Sequence, residues 1–292
     1  MTKLAYVFPG QGSQIVGMGQ DLAEKSPLAK AVFEEANSVL GYDITALCFK
    51  GPEEKLRQTE NTQPAILTTS IAEWRILEAE NKLPDIVAGH SLGEYSALVA
   101  AGALDLAAAV KLVHLRGKFM EAAVPQGQGT MAAVLGLKQE RIAEVLKGVP
   151  GKVEIANINC PGQIVISGET KAVEESCKKL SEAGAKRAIV LPVSGPFHSS
   201  LMYPAAQKLK KEIEGVEVRK PRFKFIANVT ADYVEDPAKI KELLVKQVSS
   251  AVLWQQSVER MLNDGIEEFQ EVGPGNVLIG LVRKVQKERV KA

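Results

Sequence analysis

The chain has 292 residues, 46% of them hydrophobic, with 36 basic side chains against 35 acidic ones; that length can bury one large core or two smaller ones. A net charge of +1 argues against nucleic acid or an acidic polymer as the main partner, and no uncharged apolar run approaches the roughly 20 residues of a membrane span. The N-terminal MTKLAYVFPGQG lacks the long hydrophobic region and cleavage site of a signal peptide, and three scattered cysteines (Cys48, Cys160, Cys177) without metal-ligand or C-x-x-C spacing suit a reducing cytoplasm.

Leu4–Phe8 reads as a strand and runs into Pro9-Gly10-Gln11-Gly12-Ser13-Gln14. This glycine-rich loop lacks the Lys-Ser/Thr of a P-loop, and Ile15 stands where a dinucleotide loop needs its third glycine. Two readings remain: a plain tight turn, or a loop that carries a backbone N–H, such as that of Gln11, to a site on a neighbouring strand. Pro27–Leu40 and Thr68–Asn81 carry apolar residues at helical spacing, separated by a polar loop, GPEEKLRQTENTQP.

Pro84–Gly102, PDIVAGHSLGEYSALVAAG, begins with a short apolar run and ends in an alanine-rich helix. Between them, Gly89-His90-Ser91-Leu92-Gly93 is the G-x-S-x-G pattern, which in a strand-to-helix turn is a nucleophile elbow. An oxyanion formed by attack of Ser91 on a carbonyl would be received by the N–H of Leu92, at the positive end of the new helix. Asp105 reads as the N-cap of a long helix from Leu106 to about Ala123. On it Arg116 has only apolar helical neighbours, Leu112, Val113, Phe119 and Met120. A guanidinium on such a face needs an anion or a route to water; a snorkelling or ion-paired arginine is the plainer account.

From Gln126 the texture changes. Thr130–Leu137, Val153–Asn159, Gln163–Ser167 and Arg187–Val193 read as strands, and Gln139–Lys147 and Thr170–Ala183 as amphipathic helices. The order β-α-β-β-α-β is the ferredoxin-like pattern. The fold expected is therefore α/β: an α/β-hydrolase-like large domain with a mostly parallel sheet, formed by residues 1–126 and 196–292, and an inserted ferredoxin-like α+β subdomain at 127–195. Lys186 and Arg187, entering the last of these strands, are candidates for contact with a coenzyme's phosphates or an acidic partner, or else a solvated charge pair.

The base is found by elimination among three histidines. His90 adjoins the serine and should point to the opposite face, and His114 lies mid-helix, where packing in the core is the expected role. His198 sits on a loop, PVSGPFHSS, after the serine in the chain, as the base does in hydrolases of this elbow type. The only aspartate between the two is Asp105, so a neutral acceptor, a backbone carbonyl, is expected to orient His198. Beyond it Phe223–Val229 and Glu268–Val272 read as strands, and Ala238–Val248, Val258–Asn263 and a basic C-terminal segment as helices.

FPGQGSQ, GHSLGEYSAL, Arg116, NINCPGQIVISG, PVSGPFHSSLM, QVSSAVLW and EVGPGNVLIGL stand in this order over nearly the whole chain. Together they resemble the acyltransferase family of fatty-acid and polyketide synthesis, the bacterial malonyl-CoA:acyl carrier protein transacylases among them. The resemblance implies Ser91 as the acylated nucleophile, His198 as its base, and an oxyanion hole of the Gln11 and Leu92 N–H groups. It implies that Arg116 grips the malonyl carboxylate, that Gln247 offers its main-chain carbonyl to His198 beside the substrate, and that Phe197 marks the malonyl-type side-chain pocket. Ala251 departs from the family's usual proline. The implied partners are malonyl-CoA and acyl carrier protein, with no cofactor, no nucleic acid and no membrane; a cytoplasmic monomer is expected. A serine hydrolase sharing the elbow would need an acid partner for the histidine and gives no reason for Arg116. A non-catalytic carrier-binding module would not need Ser91, His198 and Arg116 together.

Overall fold

A computed structural model describes residues 2–291. The chain begins with β1 (Leu4–Phe8), α1 (Gln20–Lys25), α2 (Pro27–Leu40), α3 (Ile44–Lys50), α4 (Glu53–Leu56) and α5 (Thr59–Ala79). β2 (Ile86–Gly89), α6 (Gly93–Ala100) and α7 (Leu106–Glu121) follow. Next come β3 (Gly129–Leu135), α8 (Gln139–Lys147), β4 (Val153–Cys160), β5 (Gln163–Glu169), α9 (Thr170–Glu182) and β6 (Arg187–Val190). A 3-10 turn at Ser200–Met202 leads into α10 (Tyr203–Glu214) and β7 (Lys224–Ala227). The chain closes with β8 (Asp232–Tyr233), α11 (Pro237–Gln247), α12 (Trp254–Asn263), β9 (Glu268–Glu271) and α13 (Val277–Lys291). No described helix is long and apolar enough to cross a membrane.

The first sheet has the order β8-β7-β2-β1-β9, parallel except for the β8 edge. Alternation along its strands feeds two cores. Tyr6, Phe8 and Val87 face a cluster containing Leu67, Ile71, Leu98 and Val113 from α5, α6 and α7, while Ala5, Val7, Ile86 and Ala88 face Val258, Met261, Leu281 and Val285 from α12 and α13. With both faces covered, polar groups can reach this sheet only at its edges. Because neighbouring strands are parallel and Phe8 is in register with Gly89, the loops after β1, β2 and β7 emerge side by side at one edge.

The second sheet is antiparallel, ordered β4-β5-β3-β6, which is the ferredoxin-like strand order. Ala132, Val134, Ile164 and Ile166 pack on one side with Ile142 of α8 and Val173 and Leu180 of α9. Met131, Ala156 and Val165 turn the other way and join the core of the first sheet. Sheet two is thus roofed by its own helices and lies face-down on the rest.

The helix termini follow local chemistry in several places. α2 has Ser26 accepting from the Ala29 N–H, Pro27 in its first turn, and Gly41 at φ 73° ending it; α11 has Asp236 accepting from the Lys239 N–H. Three expectations are corrected. The polar stretch at 51–64 is not a loop throughout: α4 lies in it, and α5 begins at Thr59, with Pro64 inside the helix. Its N-terminus is capped from a distance, the Thr59 N–H donating to Glu121 (2.7 Å). The Glu60 carbonyl that Pro64 cannot bond accepts from His114 Nδ1 (2.9 Å) instead. Asp105 occupies the N-cap of α7 but its side chain makes no capping bond and pairs with Arg219, and the helix ends at Glu121. The strand expected at Arg187–Val193 ends at Val190; only the Leu191 N–H continues the pairing, to the Met131 carbonyl (2.8 Å).

Candidate active site

Ser91 stands at the turn between β2 and α6 with φ 52°, a left-handed conformation that costs a serine free energy. The turn is tight enough that a Cβ on Gly89 would fall 1.9 Å from the Gly93 carbonyl carbon, and one on Gly93 2.0 Å from the Phe8 oxygen. Asn228, just past β7, holds the turn from outside: Oδ1 accepts from the Ser91 N–H (2.7 Å) and Nδ2 donates to the Gly89 carbonyl (2.6 Å).

His198 also has a left-handed backbone, φ 59°. Its loop is held by Ser199 Oγ donating to the Pro196 carbonyl (2.7 Å) and by the Ser200 N–H donating to Glu154 (2.9 Å). Nε2 lies 2.7 Å from Ser91 Oγ and Nδ1 lies 2.9 Å from the Gln247 main-chain oxygen. A carbonyl can only accept, so Nδ1 carries the proton and Nε2 is free to take one from the serine. Burial holds His198 down to about 3, and the neighbouring Arg116 adds to the effect. The expected absence of an acid partner agrees with this geometry: Asp105, the one aspartate in the interval, lies against Arg219.

Arg116 is 1% exposed. Nη1 donates to Gln63 Oε1 (2.8 Å), and Nη2 to Gln247 Oε1 (2.8 Å) and Ser91 Oγ (3.1 Å). The Nε–H meets no acceptor among the described residues, nor does the guanidinium form a salt bridge there. A buried guanidinium held only by neutral amides and a hydroxyl carries a charge that its surroundings do not neutralise, which favours an anionic ligand. Its depth is set by helix crossing: a Cβ on Gly117 would lie 2.7 Å from the Glu60 Cα, so α7 meets α5 backbone to backbone.

A cavity of about 200 Å³ opens over these groups, bordered by Gln11, Leu92, Ser91, His198, Arg116 and Phe197 on one side and by Met131, Val165, Leu191 and Val193 on the other. The sequence candidates for the nucleophile, base, oxyanion donors and anion partner therefore converge. The N–H groups of Gln11 and Leu92 meet no protein acceptor among the described residues. Gln247 takes part twice, through its carbonyl to His198 and through its side chain to Arg116. Ala251 is followed by a fixed residue: the Val252 N–H donates to the Ala156 carbonyl and its oxygen accepts from the Ile158 N–H, both at 2.9 Å, which pins this loop to β4 without a proline. Lys186 and Arg187 are exposed at the start of β6 and do not line the cavity. His90 turns its Nε2 to Asn159 (2.9 Å) and packs its ring edge-on against Trp254, while still bordering the cavity.

Three site residues were missed in the sequence. Gln63 bonds Arg116, Asn228 clasps the elbow, and Glu94, 1% exposed on the first turn of α6, accepts from the Asn228 N–H (3.0 Å) and from the Gln247 side chain. Burial pushes the Glu94 carboxyl up to about 8 against the pull of those donors and Arg116; both its oxygens accept N–H bonds, the arrangement of the ionised form. A signal existed, since Glu94 is the one acid in an otherwise apolar, alanine-rich segment.

The acyl transferase domain family matches residues 5–291. The malonyl CoA-acyl carrier protein transacylase of Bacillus subtilis is 49% identical over 290 residues, covering 98% of this chain and 92% of that protein. Among solved structures, an acyl carrier protein S-malonyltransferase from Vibrio cholerae superposes with a TM-score of 0.96 at 49% identity, covering 98% of this chain and 94% of that one. A malonyl-transacylase solved in complex with a type II PKS acyl-carrier protein gives 0.96 at 46% identity, with the same coverage.

Proposed function

The chain belongs to the acyl transferase domain family, and from that membership we propose the chemistry of its site: transfer of a malonyl group from coenzyme A to the phosphopantetheine thiol of an acyl carrier protein, through a malonyl ester on Ser91. Supporting this reading are relatives at 49% identity over nearly the whole chain, a malonyl CoA-acyl carrier protein transacylase and an acyl carrier protein S-malonyltransferase; the pathway we propose for it is fatty-acid biosynthesis. The observation that carries the residue assignment is one atom with two neighbours: Ser91 Oγ lies within hydrogen-bond reach of a neutral imidazole and of a buried guanidinium.

In the first half-reaction Ser91 Oγ gives its proton to His198 Nε2 and bonds to the thioester carbon. The Gln11 and Leu92 N–H groups receive the oxyanion as the carbonyl becomes tetrahedral. The C–S bond then breaks, and the coenzyme A sulfur takes the proton from Nε2. In the second half the carrier thiol gives its proton to the same nitrogen, its sulfur bonds to the ester carbon, and Oγ leaves with the proton restored. The Gln247 carbonyl steadies imidazolium less than a carboxylate would, which suits a base that must hand its proton on twice in one cycle.

Arg116 supplies selection. Once Oγ is esterified it no longer needs the Nη2 donor, and the guanidinium can grip the malonyl carboxylate in a charge-assisted pair. Fixing the acyl group there, under the apolar wall of β3 and β5, protects the ester from water between the two halves. Phe197 borders the space beside the acyl group. The reaction as written needs no cofactor beyond the two thioester carriers. Residues 127–195 are proposed as an inserted unit within 1–126 and 196–292, and the protein as a cytoplasmic monomer that meets malonyl-CoA and the carrier at this cavity.

Intact-protein mass after mixing with malonyl-CoA tests the reading. Wild type gains one malonyl adduct that discharges on addition of carrier protein, and Ser91→Ala gains none. A stoichiometric adduct on the alanine variant would sink the mechanism.

A further inference from the structure

Glu94 has no part in either half-reaction, yet it is buried three residues after the nucleophile. Its oxygens accept from two directions, Oε1 from the Asn228 N–H (3.0 Å) and Oε2 from Gln247 Nε2. The other hydrogen of Gln247 Nε2 serves the Ser91 carbonyl (2.8 Å), and the amide oxygen is left facing Arg116 Nη2 (2.8 Å). A primary amide has a donor end and an acceptor end, so whatever faces the NH₂ decides where the oxygen points.

We infer that Glu94 is the positioning residue of the carboxylate clamp: by accepting from Gln247 it turns the amide oxygen toward Arg116 and so fixes the guanidinium that separates malonyl from uncharged acyl groups. This deepens, and rests on, the malonyl-transfer reading. Were the Gln247 amide reversed, its NH₂ would face Nη2, donor against donor, and the guanidinium would keep only Gln63 Oε1 and the Ser91 hydroxyl as acceptors among the described residues. A carboxylate suits position 94 because two N–H groups converge on it. A glutamine substituted there must present its own N–H to one of them whichever way it turns.

The test is kcat/KM for malonyl and for acetyl transfer on wild type, Glu94→Gln, Gln247→Met and the double variant, with thermal melting as the check on folding. Glu94→Gln should lower the malonyl-to-acetyl ratio about tenfold or more, the scale of a buried donor left unpaired. Gln247→Met should do the same. The double variant should fall no further than the lower single, because no amide remains for residue 94 to orient. An unchanged ratio in Glu94→Gln, equal loss of both acyl groups, or effects that multiply in the double variant each overturn the inference. If Glu94→Gln does not fold, Gln247→Met decides alone: its ratio must fall, and an unchanged one overturns the positioning role. The malonyl adduct on wild-type Ser91 tests the underlying reading separately, since it forms or fails whatever these ratios show.

Discussion

The parallel and antiparallel sheets meet over one cavity and bring opposite things to it. The parallel sheet contributes strand ends: Gln11 after β1, Ser91 after β2 and Asn228 after β7, the polar and strained part of the site. The antiparallel sheet contributes Met131 of β3 and Val165 of β5 from a face, with Asn157 and Asn159 of β4 its polar exceptions, then Leu191 and Val193 beyond β6. The cause is burial. β1 and β2 are covered on both sides and can present polar groups only at their ends, whereas β3 and β5 keep one face for the cavity. Chemistry is built on an edge and the exclusion of water on a face.

The division breaks most visibly if the edge is emptied of its cation. Arg116→Ala should cost malonyl kcat/KM roughly 30- to several-thousand-fold, since truncating one partner of a buried charge pair costs about 2–5 kcal/mol. Acetyl transfer should hold or rise, and Arg116→Lys should rescue malonyl transfer poorly because a point charge cannot copy the guanidinium fork. The measurement is the ratio of the two transfers. A ratio that does not fall in a folded variant would remove Arg116 from the substrate's path and leave selection to the apolar face.

Acid sharpens the contrast next. His198 is held down to about 3, so the free protein keeps this imidazole, the proposed base, neutral well below the ordinary imidazole range. Malonyl-CoA kcat/KM should therefore stay level from about pH 7 to about pH 5, because this parameter reports free-enzyme groups. A decline of about tenfold per unit below 6.5 would show an ordinary imidazole. The sign for stability is opposite to that of a histidine in a favourable ion pair: the unfolded chain takes up this proton below about 6.5 and the folded one does not, so His198 drains stability as pH falls from there toward its folded value.

The smallest effect belongs to the insert. Reversing the charge of Lys186 and Arg187 together should raise the apparent KM for malonyl-CoA or carrier protein a few-fold, more at low salt than at high. Both KM values unchanged at low salt would confine the insert's part to its apolar face.

The same contrast explains what was legible in the sequence. The insert could be read nearly element by element because its helices bury one face each, as Ile142 does in α8 and Ala172, Val173 and Leu180 do in α9, and that period shows. α6 is buried at all eight positions, so it has no period, and only the elbow motif announced it. The start of α5 was hidden because its cap, Glu121, comes 62 residues later and its proline is accommodated by a histidine from another helix. α10 went unread altogether. Ser91, His198 and Arg116 stood out as odd residues in plain surroundings. Gln63 and Asn228 did not, since their roles depend on partners 53 and 137 residues away; Glu94 was odd in its segment, but its partner Gln247 lies 153 residues on.

The bare contact of α7 with α5 at Gly117 has a consequence for how selectivity is inherited. The residue that would recognise the substrate's charge and the residue that sets how deeply it sits are consecutive in the chain, yet only the first faces the cavity. A single methyl on Gly117 would have to push two helices apart, carrying Arg116 and its Gln63 partner out of line with the serine while leaving the identity of every cavity-lining residue unchanged. Substrate preference in this lineage can therefore drift through a position that no inspection of the pocket would flag, and two descendants with identical pocket residues need not prefer the same acyl group.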